Sequence, residues 1–518
     1  MLKETIKKEL TASINQAFPE SISEDLIGLE TPRQKSHGDF ATNLAFKLAK
    51  TFKKAPPLIA EEIANKINEN KQLNFSIEPL NGFMNIRLKD SFLFDYFSQL
   101  LTKKPSFPQI GKQINLEFLS ANPTGPLHIG HGRWAVIGNA LCRLLSYTEQ
   151  SFKSENYIND AGVQIKNLLA SIQAIKEGHA IPEDGYHGDY IKELAKSDAD
   201  PVQCMLAQHK ETLQRLAIDF DTWFSEKSLY DNDEVKRCLD FLKQQHFSYE
   251  KDGATWFKSS DFADDKDRVL IKSDGNYTYF LVDIAYHYNK INRGFTDIIN
   301  IWGADHHGYV PRMAAAIKAL TAANNKSTVS FKVIIGQLVN LFRDGQAVRM
   351  SKRTGDIITL DEVIDEIGAD AIRYFLLEKN ADTTLDFDLS LAVKQNSENP
   401  VFYVQYAHAR MCTLQQKVSG TATQRITEAE LNTEERQLIY LCSNFYDEVW
   451  DATQHFAPYK LVAFAYSIAK SFHSFYESCP IQQADDPTKA RRLAIVKQCK
   501  NILAESLRLL GISAPETM

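Results

Sequence analysis

The chain has 518 residues, 44% of them hydrophobic and 24% charged, and a formal net charge of −7. That length exceeds one ordinary core and implies two to four domains of globular composition. It excludes a membrane protein, because no apolar run reaches the ~20 residues of a spanning helix, and a simple nucleic-acid coat, which would be basic.

Met1-Leu2-Lys3-Glu4 opens an amphipathic helix and lacks the apolar core and cleavage site of a secretory leader. Leu2, Ile6, Leu10, Ile14 and Phe18 recur every fourth residue, which predicts one apolar helical stripe. Ser36-His37-Gly38-Asp39 precedes a second helix, predicted over Phe40–Lys50, with Ala41, Leu44, Ala45 and Leu48 on its packing side. Pro56-Pro57 starts a third, carrying Leu58, Ile59, Ile63 and Ile67. Phe75–Leu88 alternates as strands broken at Asn81-Gly82, and Lys103–Pro108 reads as a linker. Residues 1–108 are therefore expected to form a small separate α/β domain.

From Gln113 the pattern changes. Ile114, Leu116 and Phe118 alternate with Asn115 and Glu117 as in a strand, a Pro/Gly loop follows at Asn122–Pro126, and a helix then presents Ile137, Leu141, Leu144 and Leu145 on one face. Strand, glycine-containing loop and helix open a doubly wound α/β fold, whose ligands bind at the carboxyl ends of the strands. Asp297–Ile301 and Lys332–Gln337 fit further strands of the same parallel sheet. The charged, helix-rich stretch before them, with hairpin signals at Asp252-Gly253 and Asp274-Gly275, reads as an insertion.

After about residue 395 the chain reads as all-helical. Its stripes are Leu438, Leu441, Phe445 and Val449, then Leu461, Ala465, Ile468, Phe472 and Phe475, then Leu493, Val496, Leu503 and Leu507, the last stopped by Gly511. The expected class is α/β. A Rossmann-like doubly wound nucleotide-binding catalytic domain (109–394, insertion about 170–265) lies between the small N-terminal α/β domain (1–108) and an all-helical C-terminal domain (395–518).

Charge is uneven: residues 1–108 hold 15 Lys+Arg and 13 Asp+Glu, and residues 391–518 hold 13 of each, leaving −9 for the middle. An acidic middle suits a cationic small substrate, and equally a solvated acidic surface. Cys142, Cys204, Cys238, Cys412, Cys442, Cys479 and Cys499 are scattered and never paired as CxxC, which points to a reducing cytoplasm and away from a zinc knuckle or disulfide framework.

Two tags carry the chemistry. Leu127-His128-Ile129-Gly130-His131 sits where a helix starts after a strand. Arg349-Met350-Ser351-Lys352-Arg353 sits in a basic, glycine-bounded loop, Phe342–Gly355. Imidazoles at a helix N-terminus suit charge building on phosphoryl oxygens, Gly130 would let an adenine ring approach, and Lys352 is the charge best suited to a triphosphate. Read singly, a helix-start histidine pair and an exposed basic turn remain open.

Together, in this order and this far apart, the tags resemble the two ATP-handling signatures of class I aminoacyl-tRNA synthetases. Glu117–Arg133 (EFLSANPTGPLHIGHGR), Tyr157–Gln164 (YINDAGVQ), Trp302–Arg312 (WGADHHGYVPR), Pro400–Arg410 (PVFYVQYAHAR) and Leu510–Met518 (LGISAPETM) resemble arginyl-tRNA synthetases in particular. The likeness runs essentially end to end.

The resemblance implies an arginine–tRNA ligase that forms arginyl-adenylate and transfers arginine to the 2′-hydroxyl of the terminal tRNA adenosine, needing bound tRNA even for activation. It implies ATP with Mg²⁺ and no structural zinc. His128, His131 and Lys352 would be catalytic. Gly130, Gly132, Asp305, His306, Arg349, Met350 and Ser351 would meet ATP, with His307 beside them. Glu117, Tyr279 and Asp283 would hold the guanidinium, as planar carboxylates suit it, and Asn122 the α-amino and carboxylate end. Residues 1–108 would touch the outer corner of tRNA and 395–518 its anticodon, with Tyr403, Tyr406 and Arg410 as stacking candidates. The expected partners are tRNA(Arg), L-arginine and ATP, without a membrane, for a cytoplasmic monomer. Arg349 departs from the family's usual Lys, keeping the charge but not its geometry. Two alternatives stay open: another class I synthetase such as a cysteine-specific one, against which the missing Cys/His set counts, and an inactive RNA-binding paralogue, against which both tags count.

Overall fold

The structure is a computed structural model of the chain, and it describes all residues except 33, 323–328, 349–357 and 418–430. The N-terminal unit comprises α1 (Leu2–Ala17), β1 (Phe40–Thr42), α2 (Leu44–Phe52), α3 (Pro56–Glu69), β2 (Phe75–Leu80), β3 (Phe83–Leu88) and α4 (Asp90–Gln99). Its three strands form an antiparallel sheet in the order β1-β3-β2. Asn81 and Gly82 turn β2 into β3 with φ of 51° and 87°, the left-handed pair that a two-residue hairpin demands.

The helix expected over Phe40–Lys50 begins later. Phe40–Thr42 pairs with Met84–Ile86 instead, because Asp39 accepts the Leu88 amide at 2.7 Å and anchors the chain along β3. Thr42 then accepts the Leu44 amide through Oγ1 at 3.3 Å, where the helix starts. Of the apolar residues carried by α3, Leu58 is exposed, whereas Ile59, Ile63 and Ile67 are buried.

The central unit runs β4 (Ile114–Glu117), α5 (Ile129–Tyr147), β5 (Phe152–Ile158), α6 (Val163–Glu177), α7 (Asp189–Lys196), α8 (Pro201–Arg215), β6 (Thr222–Ser225), α9 (Glu226–Asp231), α10 (Glu234–Gln244), β7 (Ser248–Lys251), β8 (Ala254–Phe257), β9 (Arg268–Ile271), α11 (Tyr279–Asn292), β10 (Asp297–Gly303), α12 (Val310–Ala322), β11 (Ser330–Gly336), β12 (Val339–Arg343), β13 (Gln346–Ala347), α13 (Leu360–Ile367), α14 (Ala369–Leu377), β14 (Leu385–Asp388) and α15 (Leu389–Ala392). Five parallel strands form its main sheet in the order β11-β10-β4-β5-β6. β4 lies at the middle, and all four of its residues are buried. Both faces of this parallel sheet are covered, so Asn115 and Glu117 are as enclosed as their apolar neighbours.

The stretch expected as an insertion, about 170–265, is divided by β6, which joins the main sheet beside β5. Helices α6–α8 are thus a crossover between neighbouring strands. A separate three-stranded sheet, β7-β8-β9, follows.

The C-terminal unit is helical: α16 (Pro400–Lys417), α17 (Thr433–Ser443), α18 (Phe445–Gln454), α19 (Tyr459–Ser478) and α20 (Asp486–Leu510). It is locked to both other units. Arg436 donates to both Asp39 oxygens at 2.9 and 2.8 Å, to Asp90 at 2.7 Å and to the Leu88 carbonyl at 3.0 Å. Asp447 accepts the Leu2 amide at the start of α1 at 2.8 Å. Buried Arg373 of α14 donates to Leu510 O at 2.9 Å, Leu216 O at 2.7 Å and Asn139 Oδ1 at 2.8 Å, joining α20, the end of α8 and α5. Among the described residues no helix is long and apolar enough to cross a membrane.

Candidate active site

His128 is the N-cap of α5, and the pairing with His131 is reciprocal. Each ring's Nδ1 accepts the other residue's backbone amide at 3.4 Å. This satisfies two of the orphan amides at the helix start and stacks the rings with centroids 3.7 Å apart. A Cβ at Gly130 would lie 3.1 Å from the His128 ring, and one at Gly132 would lie 2.9 Å from Leu360. Both glycines are therefore explained first by protein contacts. Trp134, one turn on, meets the His131 ring edge to face at 5.7 Å and lies over Gly303 and Gly336 at the ends of β10 and β11.

Arg349, Met350, Ser351 and Lys352 lie outside the described residues. Their flanks are described. Val348 donates its amide to Leu341 O at 2.8 Å, and Leu360 donates to Leu127 O at 2.7 Å. Thr359 forms a β-bridge with His128. Thr359 and Leu360, more than 200 residues on in sequence, are thereby held against the first tag. Thr359 and Glu362 form the capping box of α13 and share a cavity of about 490 Å³ with His128, His131, Asn122, Gln164 and residues 186–190 of the crossover. Asn122 donates to Gln164 Oε1 at 2.5 Å in that cavity.

Beside it lies an acidic cluster. Glu117, at the end of β4, accepts from Lys290 Nζ at 2.5 Å and from Ser120 Oγ at 3.2 Å. Asp283, on α11, accepts from Tyr309 Oη at 2.5 Å. Burial pushes its carboxyl up to about 7; the Tyr309 hydrogen bond opposes this, and the Glu226 and Glu117 charges add to it. Glu226, at the start of α9, accepts from Tyr157 Oη at 2.9 Å, and burial, then Asp160, raises its pKa as well. Three acids thus cluster here, two of them held reluctant to ionise, an arrangement whose chemistry suits a cation.

Sequence reasoning missed Glu226, Tyr157 and Tyr309. Glu226 follows β6 directly, so recognising that strand would have put an acid at the carboxyl end of the sheet. Tyr279 sits at the rim, 62% exposed. Asp305, His306 and His307 are exposed in the turn after β10, with His306 Nε2 3.5 Å from Asp305.

The three stacking candidates separate. Tyr403 of α16, half-buried, packs against Tyr466 and His473, at 5.4 and 4.7 Å between centroids. Tyr406 is 38% exposed, and the Arg410 guanidinium lies 3.9 Å over the Tyr476 ring. Those three residues, Lys417 and Met518 line a groove of about 660 Å³.

Comparison with known proteins matches three family descriptions in sequence. Residues 4–88 match the arginyl tRNA synthetase N terminal domain, 97–186 and 187–411 the catalytic domain of tRNA synthetases class I (R), and 404–518 the DALR anticodon binding domain. The chain is 40% identical to the arginine–tRNA ligase of Bacillus licheniformis and 39% to that of Bacillus subtilis, each over 100% of this chain and 99% of the relative. The arginyl-tRNA synthetase of Thermus thermophilus superposes with a TM-score of 0.81 at 20% identity, covering 100% of both chains, a likeness of fold.

Proposed function

The chain belongs to the class I arginyl-tRNA synthetases, and from that premise we propose how its residues attach arginine to tRNA. It is an arginine–tRNA ligase that uses ATP. In the first step a carboxylate oxygen of arginine bonds to the α-phosphorus of ATP while the bond to pyrophosphate breaks. In the second, the terminal 2′-hydroxyl of tRNA attacks the acyl carbon and AMP leaves.

We assign the guanidinium to Asp283 and Glu226, with Tyr279 over the rim, Glu117 at the inner wall, and Asn122 with Gln164 at the α-amino and carboxylate end. The acidic cluster carries this assignment: burial and mutual repulsion leave Asp283 and Glu226 short of a cation, and a guanidinium supplies a fixed planar one. His128 and His131 face the cavity next to it and would donate to the phosphoryl oxygens. Lys352 would supply a further positive charge to the same oxygens. Asp305 and His306 would lie toward adenosine.

Among the described residues no group of three or more His, Cys, Asp or Glu is placed to hold a metal ion. Mg²⁺ would arrive bound to the ATP phosphates. Residues 1–108 would touch the outer corner of tRNA and 395–518 the anticodon loop, where Tyr406 and Arg410 open onto a groove. The seven cysteines are free thiols, consistent with the cytoplasm.

Pyrophosphate exchange into ATP, measured with each amino acid singly and with or without tRNA, tests the reading. Exchange with arginine and tRNA is expected, and exchange with another amino acid or with none overturns it. Lys352→Ala should lower kcat about 10²–10³-fold, the usual loss of one transition-state donor.

A further inference from the structure

Lys290 is fully buried, although nothing in its sequence context distinguishes it from a solvated helix lysine. Its ammonium donates to Glu117 Oε2 at 2.5 Å and to Asn300 Oδ1 at 3.3 Å, and lies 4.4 Å over the Tyr286 ring. Asn300 Nδ2 lies 3.1 Å from His287 Nε2, and His287 Nδ1 lies 2.7 Å from the backbone carbonyl of Asp283. A carbonyl only accepts, so His287 Nδ1 carries the proton, and Nε2 must accept from the Asn300 amide. Asn300 Oδ1 is then the acceptor facing Lys290. Every donor and acceptor in this chain has one consistent sense. Burial, helped by the Lys290 charge, lowers the His287 pKa to about 3 and keeps the ring neutral, as that sense requires.

We propose that Lys290 is a positioning residue of the arginine pocket: it fixes the Glu117 carboxylate and, through Asn300 and His287, ties it to the backbone of Asp283. The inference rests on the reading of the acidic cluster as the arginine site. A buried ion pair is a weak stabiliser compared with apolar residues of the same volume, so stability alone is a poor reason for this one. Its two ends are the two acids of the cluster that come from β4 and α11. The internal cation also balances one of the three acids, leaving Asp283 and Glu226 to the guanidinium. Networks of this kind act as units in which removal of any link affects the others.

The test compares Lys290→Met, Glu117→Gln, the Lys290→Met/Glu117→Gln double variant and Asn300→Leu in aminoacylation of tRNA, with thermal melting alongside. Wild-type exchange with arginine and tRNA must be present first; its absence would remove the arginine reading itself, whatever Lys290 does. Given that activity, Lys290→Met should raise KM for arginine at least tenfold and leave KM for ATP within twofold. The double variant, which removes both charges, should regain most of the melting temperature while KM for arginine stays raised, and by less than the product of the single effects. Asn300→Leu breaks the same chain without stranding a charge, so it reads the proposal even where Lys290→Met fails to fold, and should raise KM for arginine at least threefold. KM for arginine within twofold of wild type in both the double variant and Asn300→Leu would overturn the proposal. So would KM values for arginine and ATP that rise together.

Discussion

Arginine binding and pH should be coupled through Asp283. Its carboxyl is raised to about 7, whereas in the unfolded chain an aspartate ionises near 4. Between those values the folded protein holds the extra proton, so the contribution of Asp283 to stability is present at low pH and declines as pH rises from about 4 to about 7. A bound guanidinium stays protonated throughout and favours the ionised carboxylate, so arginine binding must expel the proton. For a single group at pKa 7, the ionised fraction is about 9% at pH 6 and about 91% at pH 8. Affinity for arginine should therefore rise about tenfold across that interval. KM for arginine measured from pH 6 to pH 8, with KM for ATP as the control, reads this directly, and calorimetry in two buffers of different ionisation enthalpy counts the proton released. Asp283→Asn should bind arginine more weakly and lose the slope. A wild-type KM for arginine that is flat over this range, with no proton release at pH 7, would refute the reasoning.

Arg436→Leu would strand Asp39 and Asp90 at the junction of the N-terminal and helical units. A loss of about 3–5 kcal/mol is expected, as for other broken buried pairs, and urea denaturation should show the N-terminal unit unfolding in a transition of its own. Gly138→Ala would place a methyl 2.1 Å from the Phe118 ring, an overpacking worth about 1–3 kcal/mol. Melting temperature should fall, and adding Phe118→Leu should restore part of it.

The first tag was legible because its chemistry is local: His128 and His131 need only a helix start to meet, and three residues provide it. The strand at Ile114–Glu117 was legible too, but its double burial was not, since covering helices come from distant sequence. Phe40–Thr42 reads as helix because its apolar spacing suits one, and only pairing with Met84–Ile86 makes it a strand. Glu226 was hidden because β6, Thr222–Ser225, sets its two apolar residues side by side and shows no alternation. Lys290 was illegible for a stronger reason. A lysine near the end of a helix is ordinarily solvated, and partners remote in sequence, Glu117 173 residues earlier among them, hold its ammonium inside.

Trp134 imposes a condition on how this sequence can drift. A side chain at Gly336 would begin 2.3 Å from the indole nitrogen, and one at Gly303 would begin 3.1 Å from its six-membered ring. A side chain at 336 has no room while the tryptophan stays, one at 303 would push the ring aside, and a smaller residue at 134 would withdraw the support beneath His131 and leave a void between two strands. Positions 134, 303 and 336 thus form a single heritable unit, and any viable route away from it must fill the void and remake the support within the same few substitutions.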